Sequence, residues 1–431
     1  KILHIKKVIF TEKTDSYHNL ILLILSGESI YILTYVLARV FRPTFLDVFN
    51  LTNLQLGSLF SIYGTIALFS YFGGGLIADK FPPGKLMGIA LFSTALGGLV
   101  MATFPSFFVL QILYAYWGIT TIFLFWGAMI KATRLWGGNK NQGRAFGFLD
   151  AGRGVIAALI GSIGVFIFSK VLKNELSLES IIEKQEAFRY VILSSSFFVT
   201  IVGILVFLFM KSESINESKN ESKKNNSINS LKNIRTVLKY RSIWLMMIII
   251  ISAYVGYKLT DIYSLYAFEV MLYSEIKAAE IGSLQLYLRP IVCLIFGLLA
   301  DKSSSIKWII IGFNIMVIGS LIFASGIITN HMNLIFLLSL VITAVGTYAV
   351  RALYFSIFNE GKIPIKITGT AVGIISIAGY TPDIFATPVM GYLLDNYPGS
   401  LGHQYVFMML FLFSLLGLWA SINFYRNLNT R

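Results

Sequence analysis

The sequence predicts an all-α polytopic membrane protein, with about twelve transmembrane helices in two pseudo-symmetric six-helix bundles. Three observations carry that expectation. The chain has 431 residues, of which 56% are hydrophobic and only 13% charged, with a mean hydropathy of +0.74. A soluble chain carries roughly 25% charged residues. Many apolar runs exceed the ~20 residues that cross a bilayer as a helix. Finally, Gly75-Leu76-Ile77-Ala78-Asp79-Lys80 returns as Gly297-Leu298-Leu299-Ala300-Asp301-Lys302, each time at the end of an apolar run and about half a chain apart.

In chain order, the apolar runs place spans at 18–40, 53–78, 84–103, 106–131, 144–170, 188–211, 241–272, 277–300, 306–327, 333–358, 367–394 and 404–426. Residues 1–17 are polar and basic, and the first run is long enough to span, so no cleavable signal is expected. Residues 212–240 are rich in Lys, Glu, Ser and Asn and cannot bury a core. They read as a cytoplasmic linker between an N-terminal half, 1–211, and a C-terminal half, 241–431. Loops on the linker's side hold roughly two dozen Lys and Arg, and the opposite loops about half a dozen. That bias sets both termini in the cytoplasm. The net charge of +14 is thereby explained without nucleic acid. The Lys, Asn and Ile bias suggests a bacterial source, hence an inner membrane location.

The repeated stretch reads as a tight turn between two spans. Its glycines, Gly75 and Gly297, would let helices approach closely. Asp79 and Asp301 would cap the next helix or pair with a cation, and Lys80 and Lys302 would stay in cytoplasmic water.

Few charges remain inside the spans, and each costs at least about 2.5 kcal/mol at a helix centre, so each is expected to meet a partner or a water-filled cavity. The cations are Arg39, Arg153, Lys258, Arg289 and Arg351; the acids are Glu28, Asp150, Asp261, Glu269 and Asp383. Arg39 either snorkels to the outer interface or offers its planar fork to an anion. Asp150 and Arg153 share a helix face at i,i+3 and either neutralise each other or present Arg153 to substrate. Lys258 and Asp261 repeat that spacing. Arg289 and Arg351 have no acid within one turn, so a partner must come from another helix or from substrate. Asp383 follows Pro382, which can kink its helix. Asp383 and Glu28 are candidates for a coupled proton or for structural pairing. Tyr35, Tyr257 and Tyr380 can supply hydroxyl donors at a cavity rim, or mark the membrane interface. Glu269 lies near the outer end and reads as interfacial.

The duplicated loop resembles the major facilitator superfamily, whose loops between helices two and three and between helices eight and nine carry this pattern. Further stretches resemble its organophosphate:phosphate antiporter branch. Tyr35-x-Leu37-x-Arg39 is similar to a first-helix stretch that carries a substrate-binding Arg. Gly147-Phe148-Leu149-Asp150, followed by Arg153, is similar to a fifth-helix stretch in which the family has Asn and a functional His at those two places. Asp261 through Tyr266 to Glu269-Val270 resembles the seventh helix. Glu360, Pro364 and Gly369-Thr370-Ala371-Val372-Gly373 resemble the approach to the eleventh. The family's second substrate Arg would fall near Gly256, where Lys258 is the nearest cation.

The leading expectation is a secondary transporter, symporter or antiporter, that moves a small phosphorylated, sulfonated or carboxylated solute by alternating access. Arg39, Arg153, Lys258 and Arg351 would attract the anion, and Tyr35, Tyr257 and Tyr380 would orient it. The alternatives are a proton-coupled symporter of a neutral or zwitterionic solute, and a non-transporting membrane sensor. The expected partners are the small-molecule substrate, a coupling proton or counter-anion, and the lipid bilayer, in a monomer. No enzyme, cofactor or metal site is expected. No Ser/His/Asp grouping, nucleotide loop or ligand cluster is evident, and His4, His18, His331 and His403 are scattered. The lone Cys293 lies in an apolar run and reads as a small buried hydrophobe.

Overall fold

The computed structural model describes residues 17–137, 142–172, 181–210, 235–361 and 368–429; within these, the side chains of Phe72, Leu76, Asp79, 142–144, 358–359, 368–373 and Ser376 are excluded. Most of the expected linker, the side chain of Asp79, Pro364, and the side chains of Gly369 to Gly373 lie outside the described residues.

Among the described residues there is no strand, and the long helices run in this order: α1 (Tyr17–Val40), α2 (Asn53–Lys80), α3 (Pro83–Met101), α4 (Phe107–Gly137), α5 (Gln142–Val171), α6 (Ile181–Phe209), α7 (Arg241–Glu269), α8 (Glu275–Asp301), α9 (Ser305–Ala324), α10 (Asn333–Leu353), α11 (Thr368–Asn396) and α12 (Ser400–Asn429). Eleven described helices are long and apolar enough to cross a membrane by length and composition. Helix α11 adds 29 helical residues and contains Pro382 and Pro388. Large apolar side chains such as Phe69, Phe108, Phe166, Phe197, Leu338 and Leu412 stand exposed on these helices, as a lipid-facing surface requires.

The helices fall into two compact units. The first gathers the described residues of Lys1–Leu51, Ile62–Ser212 and Tyr273–Pro290. The second gathers those of Thr52–Ser61, Glu213–Leu272 and Ile291–Arg431. The first turns of α2 therefore belong with the second unit, and the first half of α8 with the first.

Each unit has an aromatic core near one end. In the first, Phe41 meets Phe168 and Phe188 at centroid distances of 5.4 and 5.5 Å, and Phe45 meets Phe49 at 4.6 Å. In the second, Phe323 stacks on Phe407 at 4.1 Å and Tyr266 on Phe336 at 5.4 Å. Such rings bury large apolar areas and fix geometry. His403 is fully buried against Tyr266, and its Nε2 lies 2.9 Å from Glu269 Oε2, so Glu269 has a partner at its end of α7.

The α geometry is interrupted on the first, fourth, seventh and tenth helical runs. Residues Ile32–Val36 of α1 and Ile119–Trp126 of α4 are π-helical. Residues Thr260–Ile262 of α7 are 3₁₀, and α10 gives way after Leu353 to a turn and the short helix Ile357–Glu360. Such departures free or shift backbone hydrogen bonds and often accompany functional positions.

The duplicated loops need one correction. A methyl group at Gly75 or Gly297 would meet open space, so close helix approach does not explain either glycine. Close approach is found elsewhere in the second unit. A methyl at Gly57 would lie 2.5 Å from the Thr387 carbonyl oxygen, and one at Gly391 would lie 2.4 Å from that of Asn53. At the loops, Lys80, Asp301 and Lys302 are exposed. Lys131 donates to the Ala78 carbonyl at 2.7 Å, placing a cation at the C-terminal end of α2. Glu360 accepts from Ser304 Oγ (2.9 Å) and from the Ser305 N–H (2.6 Å), which caps α9.

Candidate functional site

Two constellations of charge lie within the helices, one in each unit. In the first unit, Glu28 of α1, Asp150 and Arg153 of α5 and Arg289 of α8 form a closed ring of alternating sign. Arg153 Nε donates to Glu28 Oε2 at 3.1 Å. Arg289 Nη1 lies 3.7 Å from the same oxygen, and Arg289 Nη2 donates to Asp150 Oδ1 at 2.6 Å. Arg153 Nη1 closes the ring at 3.9 Å from Asp150 Oδ1. The Arg153 guanidinium also lies 5.5 Å from the centroid of the Tyr31 ring.

Local sequence explains how the ring assembles. Gly152 and Gly154 flank Arg153, and a methyl at Gly154 would lie 3.0 Å from Pro290 Cδ. Small residues on α5 thus admit α8 closely enough for Arg289 to reach Asp150. Side-chain exposure is 1% for Arg289, 4% for Glu28 and 11% for Arg153, but 35% for Asp150. A carboxylate is not tolerated against acyl chains, so the open flank of Asp150 faces water. The expected i,i+3 pairing of Asp150 and Arg153 is therefore the longest edge of a larger ring.

In the second unit, Lys258 of α7 pairs with Asp383 of α11. Tyr254, one turn before Lys258, donates from its hydroxyl to Asp383 Oδ2 at 3.2 Å. Lys258 Nζ stands 5.6 Å from the Tyr254 ring centroid and 5.7 Å from that of Phe60. Lys258 and Asp383 are both buried, and a buried pair holds only with such added hydrogen bonding. Arg351 of α10 lies over Tyr257, its guanidinium carbon 3.6 Å from the ring centroid. Tyr254 packs against Tyr257 at 5.7 Å and edge-on to Tyr380 at 6.1 Å. Arg351, Tyr254 and Tyr380 are partly exposed.

The remaining candidates are placed as follows. Arg39 is 2% exposed and lies just past the π-helical turn of α1. Tyr35, within that turn, meets Tyr63 edge-on at 5.0 Å. Asp261 is buried in the 3₁₀ turn of α7. Tyr254 was missed by sequence reasoning, although its i,i+4 spacing to Lys258 would have flagged it. Among the described residues, no group of three or more His, Cys, Asp or Glu is placed to hold a metal ion.

Comparison with known proteins adds the following. Residues 24–380 match the family model described as Major Facilitator Superfamily. The inner membrane protein YqcE of Escherichia coli strain K12 is 27% identical over 391 residues, covering 89% of this chain and 88% of its own. The inner membrane protein YihN of the same organism is 26% identical over 416 residues, with 95% of each covered. A bacterial homolog of the human lysosomal transporter Spinster, in an inward-facing and unoccupied conformation, superimposes with a TM-score of 0.72 at 16% identity, covering 96% of this chain and 98% of its own. The nucleoside transporter NupG gives a TM-score of 0.73 at 13% identity, with 95% and 99% covered.

Proposed function

Because the chain belongs to the Major Facilitator Superfamily, and is thus a multi-pass integral membrane transporter, we propose that it carries a small organic anion by alternating access. In this reading 1–211 and 241–431 are the two halves, joined by 212–240, with both termini in the cytoplasm of a bacterium. The observation that carries the substrate class is Arg351. The residue is partly exposed within a span, its Nη1 is buried, and its guanidinium carbon lies over the Tyr257 ring. The planar fork of a guanidinium matches a carboxylate, phosphate or sulfonate by bidentate bonding. Tyr254 and Tyr380 supply flanking rings for the body of the solute. Arg153 and Lys258, engaged with Glu28 and Asp383, serve as internal counter-ions rather than as the first anion contacts. Arg39, buried near the end of α1, belongs to the same supporting group.

The test is thermal stabilisation of the purified protein by a panel of phosphorylated, sulfonated, carboxylated and neutral solutes. Binding to the native state adds about 2.7 kcal/mol at a hundredfold excess over Kd. A shift with one anion class that is lost in Arg351→Ala supports the reading. No shift with any anion overturns it.

A second reading, a proton-coupled carrier of a neutral or zwitterionic solute, is favoured by the ring Glu28–Arg153–Asp150–Arg289, whose charges already balance. In that case neutral solutes stabilise the protein and the effect survives Arg351→Ala.

A further inference from the structure

In each unit a carboxylate from the second half of the sequence grips residues of the first half, at the end of the spans opposite the duplicated loops. In the first unit the carboxylate is Glu275, the first residue of α8. Its Oε1 lies 2.5 Å from Lys184 Nζ of α6, and its Oε2 accepts from Thr44 Oγ1 at 2.7 Å. Lys184 also holds Asp47 at 2.7 Å. In the second unit the carboxylate is Asp395, in the last turn of α11. Its two oxygens accept the backbone N–H groups of Asn53 (2.9 Å) and Leu54 (2.7 Å), so it caps the N-terminus of α2 from another helix.

Behind each carboxylate runs a row of weaker polar contacts. Ser162 of α5 meets Ser283 and Tyr287 of α8, both at 2.9 Å. Ser61 of α2 donates to the Ile384 carbonyl at 2.8 Å, and Thr387 donates to that of Gly57 at 3.2 Å. Residues 41–52, 270–274 and 397–399 all follow odd-numbered spans, so topology puts them on one side of the membrane. Bonds of this kind suit a reversible contact. They are directional and charge-assisted, yet Asp395 and Asp47 are exposed, so water can replace their partners when the helices part.

We propose that Glu275 and Asp395 are a pair of latches that hold the side opposite the linker closed, and that both must release once per transport cycle. The inference rests on the alternating-access reading and adds the residues that set the equilibrium between its two end states.

The experiment uses the full chain in lipid nanodiscs, in a Cys293→Ser background, with a single reporter: Ser283→Cys on α8 or Ser61→Cys on α2. The rate of maleimide labelling is read without any substrate. Glu275→Gln is expected to raise labelling of Ser283→Cys, and Asp395→Ala that of Ser61→Cys, each by roughly 5-fold or more, the factor that loss of one helix cap or charged hydrogen bond gives. Glu275→Asp is expected to stay near the parent. If Glu275→Gln does not fold, Lys184→Ala and Thr44→Val remove its partners instead, and the same rise is expected. Unchanged labelling in well-folded variants overturns the proposal. So does a fall in Tm without faster labelling, which marks a merely structural role. Because no solute is needed, a silent anion panel leaves this result standing, whereas solute binding with unchanged labelling refutes the latches alone.

Discussion

Arg289 of α8 places Nη2 2.6 Å from Asp150 Oδ1 of α5 and Nη1 3.7 Å from Glu28 Oε2 of α1, so one guanidinium serves two carboxylates. Removing it leaves two acids facing Arg153 alone. Arg289→Ala is expected to destabilise the protein by about 3–5 kcal/mol, the cost of orphaning a buried charge. Adding Asp150→Leu to Arg289→Met should recover most of that loss. Denaturation in detergent measures both; simple additivity of the two costs would contradict the ring.

Lys258, Asp383 and Tyr254 give a graded series. Tyr254→Phe removes one hydrogen bond to a carboxylate and should cost about 1.5–3 kcal/mol while leaving the ion pair in place. Lys258→Met leaves Asp383 buried and should cost more than Tyr254→Phe. Equal costs would show that the ammonium does not carry the pair.

The stack of Arg351 on Tyr257 separates ring from hydroxyl. Tyr257→Phe keeps the aromatic face and should leave stabilisation by the bound anion nearly unchanged. Tyr257→Leu removes about 0.5–1 kcal/mol of cation–π attraction and should weaken binding several-fold, read as a smaller thermal shift at fixed ligand.

Glycines divide by their surroundings. Gly57→Ala drives a methyl onto the Thr387 carbonyl and should cost about 1–3 kcal/mol. Gly75→Ala and Gly297→Ala meet open space in helices and should be neutral or stabilising by about 0.4–1 kcal/mol. Melting temperatures of the three variants decide the matter.

The fold was legible because a bilayer imposes a length on every span, and apolar runs of that length are plain in the chain. The same physics made the charges inside spans conspicuous, and Glu28, Asp150, Arg153, Lys258, Arg289, Arg351 and Asp383 all stand in the two constellations. Their partners were not legible. Spacing along one helix offered Asp150 for Arg153, whereas the closest carboxylate comes from α1. For Lys258, spacing did not announce Asp383, which arrives from α11. Pairing across helices depends on packing, which all-apolar faces do not announce. Glu275, Asp395 and Thr44 carry no sequence mark of their contacts, because their partners come from distant helices. His403 was set aside as scattered, and Glu269 as interfacial, although the two meet. The π-helical and 3₁₀ stretches have no sequence mark that distinguishes them from neighbouring turns.

The ring of α1, α5 and α8 has an electrical consequence. A bare charge carried across the membrane field exchanges about 2.3 kcal/mol with it for every 100 mV. Two guanidinium groups and two carboxylates sum to zero, so the closed ring presents no net charge to that field.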